Sequence, residues 1–458
     1  MKKTVKESEH EYRYIGKHGN RADADDLVSG RQKFLDDLVM PGMLVIRVLR
    51  SPYANAIIKS IDLKKAKALP GVIGVASYRE APDWKCGLPN HRRVLDQRVR
   101  FVGDSVALVA AETETIADEA LELIDVEYEV LPFVLDCEEA LKPGAPQLYE
   151  EYPGNEIPKV TPFSEEPFNQ IFVGDTKKGF EEADYVNEGY MKYENMAHPL
   201  PPESPGCIAQ WTGPNAVTVW YNGGAPHLQK FNTEASIAGV AVRAANDARR
   251  QLLEMAAVKL NANVEDLDTE NFLVFAKSRP EVRLPWIAVC GTPEMTITGS
   301  AKYKQNFDKP NFALYLADVE VNLMTGEAKL IHALEGSDVG QIIDPINIRM
   351  QAEGSFGSAG GDTGLFEEMV MDKKLGRFMT GNMIDYKWRT FNEFPPFDTV
   401  LLESEFDSEA FHALGFGEIT PSPAPAAILM AVSNAIGHEI TEYPCSPTVV
   451  LRAMGKIK

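Results

Sequence analysis

The sequence predicts an α+β fold, and three stretches carry that expectation. Ser105 to Ala111 (SVALVAA) is a near-continuous apolar run, the pattern of a strand buried in the middle of a sheet. Asn311 to Asn322 alternates apolar and polar residues, turns through Met324-Thr325-Gly326-Glu327 and returns as Ala328 to Leu334, which predicts a hairpin. Ala235 to Leu260 is alanine-rich and periodic throughout, which predicts the longest helix of the chain. At 458 residues the chain is too long for one simple core, so two or three domains are expected.

Taken in order, Met43 to Leu49 reads as a strand closed by Arg50-Ser51-Pro52-Tyr53, and Ile57 to Ile61 as a second. Leu63 to Leu69 is a short helix stopped by Pro70-Gly71. Val72 to Ser77 and Val126 to Val130 are further strands. Thr113 to Ile124 has the helical period, with Ala117, Ala120, Leu121 and Ile124 on one face. Residues 12–150 therefore read as one compact unit, a mixed sheet with helices packed on it. A polar, proline-bearing linker covers Lys142 to Pro167, and Gly174 to Ala183 is a short capped helix. Strands are expected at Tyr185–Tyr193, Gly206–Trp211 and Ala216–Tyr221. Glu203, in the proline loop between the first two, reads as a solvated turn residue or as one facing a site. In the long helix Val242, Ala245, Leu252, Met255 and Ala256 share a face; strands follow at Asn271–Ala276 and Met295–Ile297. Ala426 to Ile436 is the last substantial helix.

Composition narrows the function classes. With 46 basic and 67 acidic residues the formal charge is −21, which argues against a nucleic-acid or anionic-membrane surface. The N-terminal MKKTVKESEHEYRY has a basic start but no apolar run after it, and no stretch approaches the ~20 apolar residues of a membrane span. The five cysteines form no C-x-x-C pair, which points to a reducing, cytoplasmic setting and away from a zinc or iron–sulfur site. The eight histidines show no H-x-x-x-H spacing, so no protein-ligated metal is expected.

One stretch has the pattern of chemistry. In Ala413-Leu414-Gly415-Phe416-Gly417-Glu418 a carboxylate follows two glycines, which let a backbone or a flat cofactor come close. Pro421, Pro423 and Pro425 stiffen the exit into the last helix. An acid held on such a turn can serve as a general base when it is buried beside a reacting atom; the plainer alternative is a loop glutamate that caps the next helix. Gln351 to Asp362, rich in glycine and serine, reads either as a surface for a flat ligand or as close helix packing.

These residues together resemble a known family. Gly30-Arg31, Leu49-Arg50-Ser51-Pro52-Tyr53-Ala54, Leu69-Pro70-Gly71-Val72 and Arg100-Phe101-Val102-Gly103-Asp104 make residues 12–150 similar to the a/b hammerhead domain of molybdenum hydroxylase large subunits, the xanthine dehydrogenase and aldehyde oxidase family. Residues 168–231 resemble the start of its molybdopterin-binding region. Residues 232–458 resemble the second half, through Asp338-Val339-Gly340 to Asp344-Pro345, Gln351 with Glu353-Gly354, and Gly415-Phe416-Gly417-Glu418. The resemblance implies a molybdenum–pterin cofactor and hydroxylation of an aldehyde carbon or a carbon beside nitrogen, with water as the oxygen source. It implies Glu418 as the catalytic base, Gln351, Gly354, Gly415 and Gly417 as cofactor-binding residues, and partner subunits carrying iron–sulfur clusters and FAD.

Two departures accompany it. The family's long middle section is missing where Pro226-His227-Leu228-Gln229-Lys230-Phe231 runs almost directly into Asn232-Thr233-Glu234-Ala235. A glutamine usual in the family before an Ala-Pro-His-like step is replaced by Asn222-Gly223-Gly224. Three readings follow: a molybdopterin-binding subunit completed by a further chain, a non-catalytic scaffold that no longer holds the cofactor, or a broken gene product without a stable state.

Overall fold

The structure, a computed structural model, describes residues 4–6, 15–17, 19, 21, 23–83, 85–86, 92–156, 160–161, 164–167, 174–189, 203–214, 216–222, 234–292, 295–302, 311–357, 361–366, 369–404, 412–417 and 419–458. These fall into two compact units. One holds Asp36–Met191 with Glu368–Lys387; the other holds Met1–Leu35, Lys192–Glu367 and Trp388–Lys458.

In the unit that starts at Asp36, the run Ser105–Ala111 is the central strand it was expected to be. It pairs antiparallel with Val45–Arg50 on one side and Val72–Ser77 on the other. Its Val106, Ala107, Val109 and Ala111 are fully buried, because a strand covered on both faces has no solvent side for polar residues. The expected single mixed sheet is corrected to two three-stranded sheets. The second places Ala56–Asp62 between Arg98–Val99 and Asp125–Val130, and every pairing in both sheets is antiparallel. Helix Glu114–Glu122 starts where the Thr113 hydroxyl accepts the Ile116 N–H, and buries Ala117 and Ala120 against the core. Gly71 has φ +86°, and a Cβ there would come within 2.7 Å of Ile116, so only glycine closes the turn from helix Lys64–Ala68 into the next strand.

The second unit is built on a four-stranded sheet. Its strands are β1 (Thr4–Lys6), β2 (Ala313–Val321), β3 (Ala328–Asp338) and β4 (Phe397–Glu403), in the order β1-β4-β3-β2. β2 and β3 form the expected hairpin, whereas β4 runs parallel to both β3 and β1. Separate from this sheet in sequence, helix α1 (Glu234–Leu260) packs on the strands Leu267–Glu270, Leu273–Ala276 and Arg279–Pro285. Leu252, Leu253, Ala256 and Leu260 of α1 enter that core; Ala245, assigned to its apolar face from sequence, is exposed. The strand expected at Met295–Ile297 is an extended connection instead, and of the strand expected at Tyr185–Tyr193 residues 185–189 form none while 190–193 lie outside the described residues. Helices α2 (Pro345–Ser355) and α3 (Ala424–Ile436) complete the unit. α3 lies against β2 and buries Ile428, Leu429 and Val432 beside Tyr315 and Phe356. Among the described residues no helix is long and apolar enough to cross a membrane.

The hairpin Cys207–Gly213 with Ala216–Tyr221 stands apart in character. Its register places Cys207 opposite Tyr221, Ala209 opposite Val219 and Trp211 opposite Val217, so these six share one face. That face is exposed, Trp211 at 75%. Asn222 closes the hairpin base, its carbonyl accepting the Gly206 N–H at 2.9 Å and its amide donating to Ser204 O at 2.7 Å. Glu203 fits neither sequence reading cleanly: it is half-buried and its Oε1 accepts the Leu35 N–H at 2.8 Å.

Inside the sheet, Glu335 of β3 is fully buried. Tyr315 Oη donates to its Oε2 at 2.9 Å and Ser337 Oγ to its Oε1 at 2.8 Å. Burial still pushes its carboxyl above the usual glutamate value of 4.5. The protonated form is thus favoured in the fold. The unfolded chain ionises first, so stability falls as pH rises from 4.5 until the raised value is passed. Glu335→Gln is expected to remove that slope of about 1.4 kcal/mol per pH unit, read from urea midpoints against pH. Parallel curves for the two proteins would show Glu335 ionising normally.

Candidate functional site

The turn that carries Glu418 is fixed first through its backbone. Gly340 and Ala413 form an antiparallel bridge, flanked by Leu414 N–H to Val339 O and Gln341 N–H to His412 O, both at 3.0 Å. Asn311 Nδ2 donates to Gly415 O. Phe416 then points inward and is 2% exposed, packed with Val339, Ile342, Ile348, Ala352 and Leu401. A large ring buried between Gly415 and Gly417 pins the turn like a peg, while the flanking glycines carry no side chain over its backbone.

Helix α2 supplies the second hold. Asp344 caps its start, accepting N–H bonds from Ile346 and Asn347, and Pro345 occupies the first turn where a missing N–H costs nothing. One helical turn apart near its other end stand Gln351 and Ser355. The Gln351 amide donates to Gly417 O at 2.8 Å and to Ser355 Oγ at 3.0 Å. Thr420 Oγ1, fully buried, donates to the same Ser355 Oγ at 2.6 Å. One helix face thus grips the chain at residue 417 and again at residue 420. Glu418 itself lies outside the described residues.

The loop beneath the turn is held by groups the sequence reading missed. Glu403, 2% exposed at the end of β4, accepts from Gln341 Nε2 and Ile342 N–H with Oε1, each at 3.0 Å. Its Oε2 is buried and has no hydrogen-bond partner among the described residues. Asp338 accepts from Gly340 N–H at 3.1 Å and from the Ser404 hydroxyl. Ser355 and Thr420 were likewise unmarked; the spacing of Ser355 four residues after Gln351 was the one available signal.

The glycine-rich stretch after Gln351 resolves into both of its alternatives. A Cβ on Gly357 would reach Phe394 at 3.0 Å, one on Gly361 would strike Phe356 O at 2.4 Å, and one on Gly364 would meet Ile428 at 3.1 Å. Those three are packing glycines. At Gly354 and Gly417 an added Cβ would meet nothing within 4 Å, and both residues are exposed, as is Gln351. With its two amide hydrogens committed, Gln351 retains its carbonyl oxygen as acceptor. An open patch without side chains, beside one fixed amide acceptor, fits the edge of a flat heterocycle that offers N–H groups, as a pterin does. Of the four residues expected to bind the cofactor, Gln351 and Gly417 are in direct contact.

Residues 29–132 match the family model described as the a/b hammerhead domain of aldehyde oxidase and xanthine dehydrogenase, and residues 233–395 match that of a molybdopterin cofactor-binding domain. The chain is 34% identical over 238 residues to a probable hypoxanthine oxidase of Escherichia coli strain K12, covering 44% of this chain and 25% of that protein. It is 35% identical over 217 residues to the carbon monoxide dehydrogenase large chain of Afipia carboxidovorans, covering 43% and 26%. The matched part thus spans about a quarter of the length of these relatives. The fold of the chain is similar to that of a Cu,Mo-CO dehydrogenase crystal structure, with a TM-score of 0.73 at 16% identity over 97% of this chain and 100% of the other.

The double grip of α2 has a measurable consequence. Gln351→Ala is expected to speed amide exchange at residues 418–420 by about tenfold while lowering global stability by only ~1 kcal/mol, because the lost bonds lie on an exposed face. Thr420→Val leaves the Ser355 hydroxyl without its buried donor and is expected to cost more, about 1–3 kcal/mol. Equal exchange in wild type and Gln351→Ala would mean that the Gln351 bonds do not set the turn.

Proposed function

The chain belongs to the molybdenum hydroxylase large-subunit family, and from that premise we propose that it is the molybdopterin-binding subunit of a xanthine dehydrogenase or aldehyde oxidase-type oxidoreductase. Residues 12–150 are its a/b hammerhead domain, residues 168–231 open the molybdopterin-binding region, and residues 232–458 are that region's second half. The reaction turns a C–H bond and water into C–OH, two protons and two electrons, at an aldehyde carbon or a carbon beside a ring nitrogen. A molybdenum–pterin group, when bound, supplies the two-electron acceptor.

The chain's own residues do the rest. Glu418 takes the proton from the oxygen that water contributes, a general-base role. Gln351 Oε1 and the backbone at Gly354, Gly415 and Gly417, clear of side chains, seat the pterin edge. The same Gln351, by holding Gly417 O at 2.8 Å, fixes the peptide that leads into Glu418; this tie is the observation that carries the reading. Electrons leave through iron–sulfur and FAD partner subunits, in the reducing, cytoplasmic setting that the cysteine pattern suits.

A further polypeptide, carrying the remainder of the molybdopterin-binding region, completes the site. Two observations support it. Gln351, Gly354 and Gly417 are all exposed, so the cradle has one wall. The hairpin face of Cys207, Ala209, Trp211, Val217, Val219 and Tyr221 is uncovered, and residues 207–221 include no charged side chain to protect its edges. A lone two-stranded hairpin with such a face gains stability chiefly by packing against more chain. The competing reading, a scaffold that has lost the cofactor, is separated from it by loading.

Purified alone, the chain is expected to hold little molybdenum; co-expressed with a complementary molybdopterin-binding chain, it is expected to copurify with it and with stoichiometric metal. Stoichiometric molybdenum in the isolated chain would remove the need for that partner, and a complex that forms without metal would favour the scaffold. In a loaded complex, Glu418→Gln is expected to lower turnover by about 10²–10⁴ with the metal content unchanged. Full turnover in that variant would take the base role from Glu418.

A further inference from the structure

An apolar cavity of about 350 Å³ in the unit that starts at Asp36 plays no part in the reading above. Phe101, Phe133, Leu135 and Leu148 line it, together with Met371 and Phe378 of the strand pair Met371–Asp372 and Arg377–Phe378. Met371 and Phe378 stand opposite each other in register, so both side chains leave the pair on one face. A glycine seats the pair. Gly376 has φ +63°, and a Cβ there would come within 2.6 Å of Ala54 and 3.1 Å of Phe133. Only glycine allows that approach, and the cavity opens beside it.

A seam that served packing alone would bury these side chains. Phe101, Leu135 and Phe378 are instead exposed, and they converge on one concavity rather than lying scattered. The extended run 133–135 makes no backbone hydrogen bond among the described residues, so its peptide groups are open to a ligand or to water. Two arginines and no acid line the cavity. Arg100 is committed: its Nη1 lies 2.7 Å from Asp96 Oδ2, its Nε donates to Leu148 O at 2.9 Å, and its guanidinium sits over the Tyr149 ring. Arg377 makes no ion pair among the described residues. Asp372, opposite it in register, is engaged by the turn, where it accepts the Lys374 and Leu375 N–H groups at 2.9 and 3.1 Å.

We propose that this cavity binds a small apolar carboxylate, its hydrocarbon body among Phe101, Phe133, Leu148, Met371 and Phe378 and its charged end at the mouth beside Arg377. The volume falls within the roughly 300–1,000 Å³ of small-molecule sites, which are mostly apolar with a few polar groups that fix orientation. A guanidinium without an ion pair supplies that group, because its planar fork matches a carboxylate.

The test is calorimetric titration of the full chain with octanoate and, in parallel, with octanol, both below the concentrations at which they self-associate. Saturable binding of octanoate is expected, about fivefold tighter than that of octanol, the scale of one solvent-exposed ion pair. Arg377→Gln should bring octanoate to the octanol level and leave octanol unchanged. Phe378→Ser removes an exposed ring from the wall, so the fold is expected to survive it, and both ligands should bind about tenfold more weakly. Absence of saturable octanoate binding by the wild type, equal affinity for octanoate and octanol, or octanoate binding unchanged in either variant would each overturn the proposal.

Discussion

The candidate site depends on a spacing within one helix. Gln351 and Ser355 are four residues apart on α2, so they stand on one face and reach the same strip of neighbouring chain. That strip is the turn from Gly417 to Thr420. Because the helix is itself capped by Asp344 and buried through Ile348 and Ala352, its face is a rigid ruler, and the turn takes its position from it. A loop pinned only by backbone bonds would keep the freedom of its peptide planes. Here the carbonyl of Gly417 and the hydroxyl of Thr420 are both tied to side chains of the same element. Two such anchors three residues apart restrict the backbone at both ends of the turn.

Two buried carboxylates serve the sheet that carries this machinery, and they solve their desolvation differently. Glu335 has a hydroxyl on each oxygen and still sits above its ordinary pKa. Glu403 accepts two N–H bonds on one oxygen and leaves the other buried without a described partner. Apolar residues would be easier to bury at both positions. What Glu403 gains for the fold is a definite register. It joins the end of a parallel strand to the Gln341–Ile342 turn, which in turn bonds to His412 and so to the turn of Gly415 and Gly417. The turn at Gly415 and Gly417 is thus tied to a buried acid at the end of β4.

Which parts of this were legible in the sequence follows from the range of the interactions. The strand Ser105–Ala111, the helix Glu114–Glu122 and the hairpin of β2 and β3 are written in local period and turn chemistry, and they stand where the pattern put them. The parallel pairing of β4 with β3 and β1 joins residues far apart in the chain and leaves no local signature. For the same reason residues 12–150 read as one sheet: period shows that a run is a strand, not which strand it meets. At the site, the Gly-x-Gly-Glu pattern marked the turn that packs against α2, and Gln351 was marked through family resemblance. Ser355, Thr420, Asn311 and Glu403 were silent because a lone serine, threonine, asparagine or glutamate is common on any surface, and only contact gives it meaning.

The glycines after Gln351 show how far a composition signal can be taken. A run rich in glycine was compatible with a ligand surface or with close packing, and the distinction lies in what fills the space where Cβ is missing. Phe394, Phe356 and Ile428 fill it at Gly357, Gly361 and Gly364, so these residues exist for the core. At Gly354 and Gly417 nothing does. A glycine at an exposed position costs conformational entropy with no packing in return. In the proposed function, the room at Gly354 and Gly417 is where the pterin edge would lie. A packing role would have placed a neighbour there already, as it has at the other three.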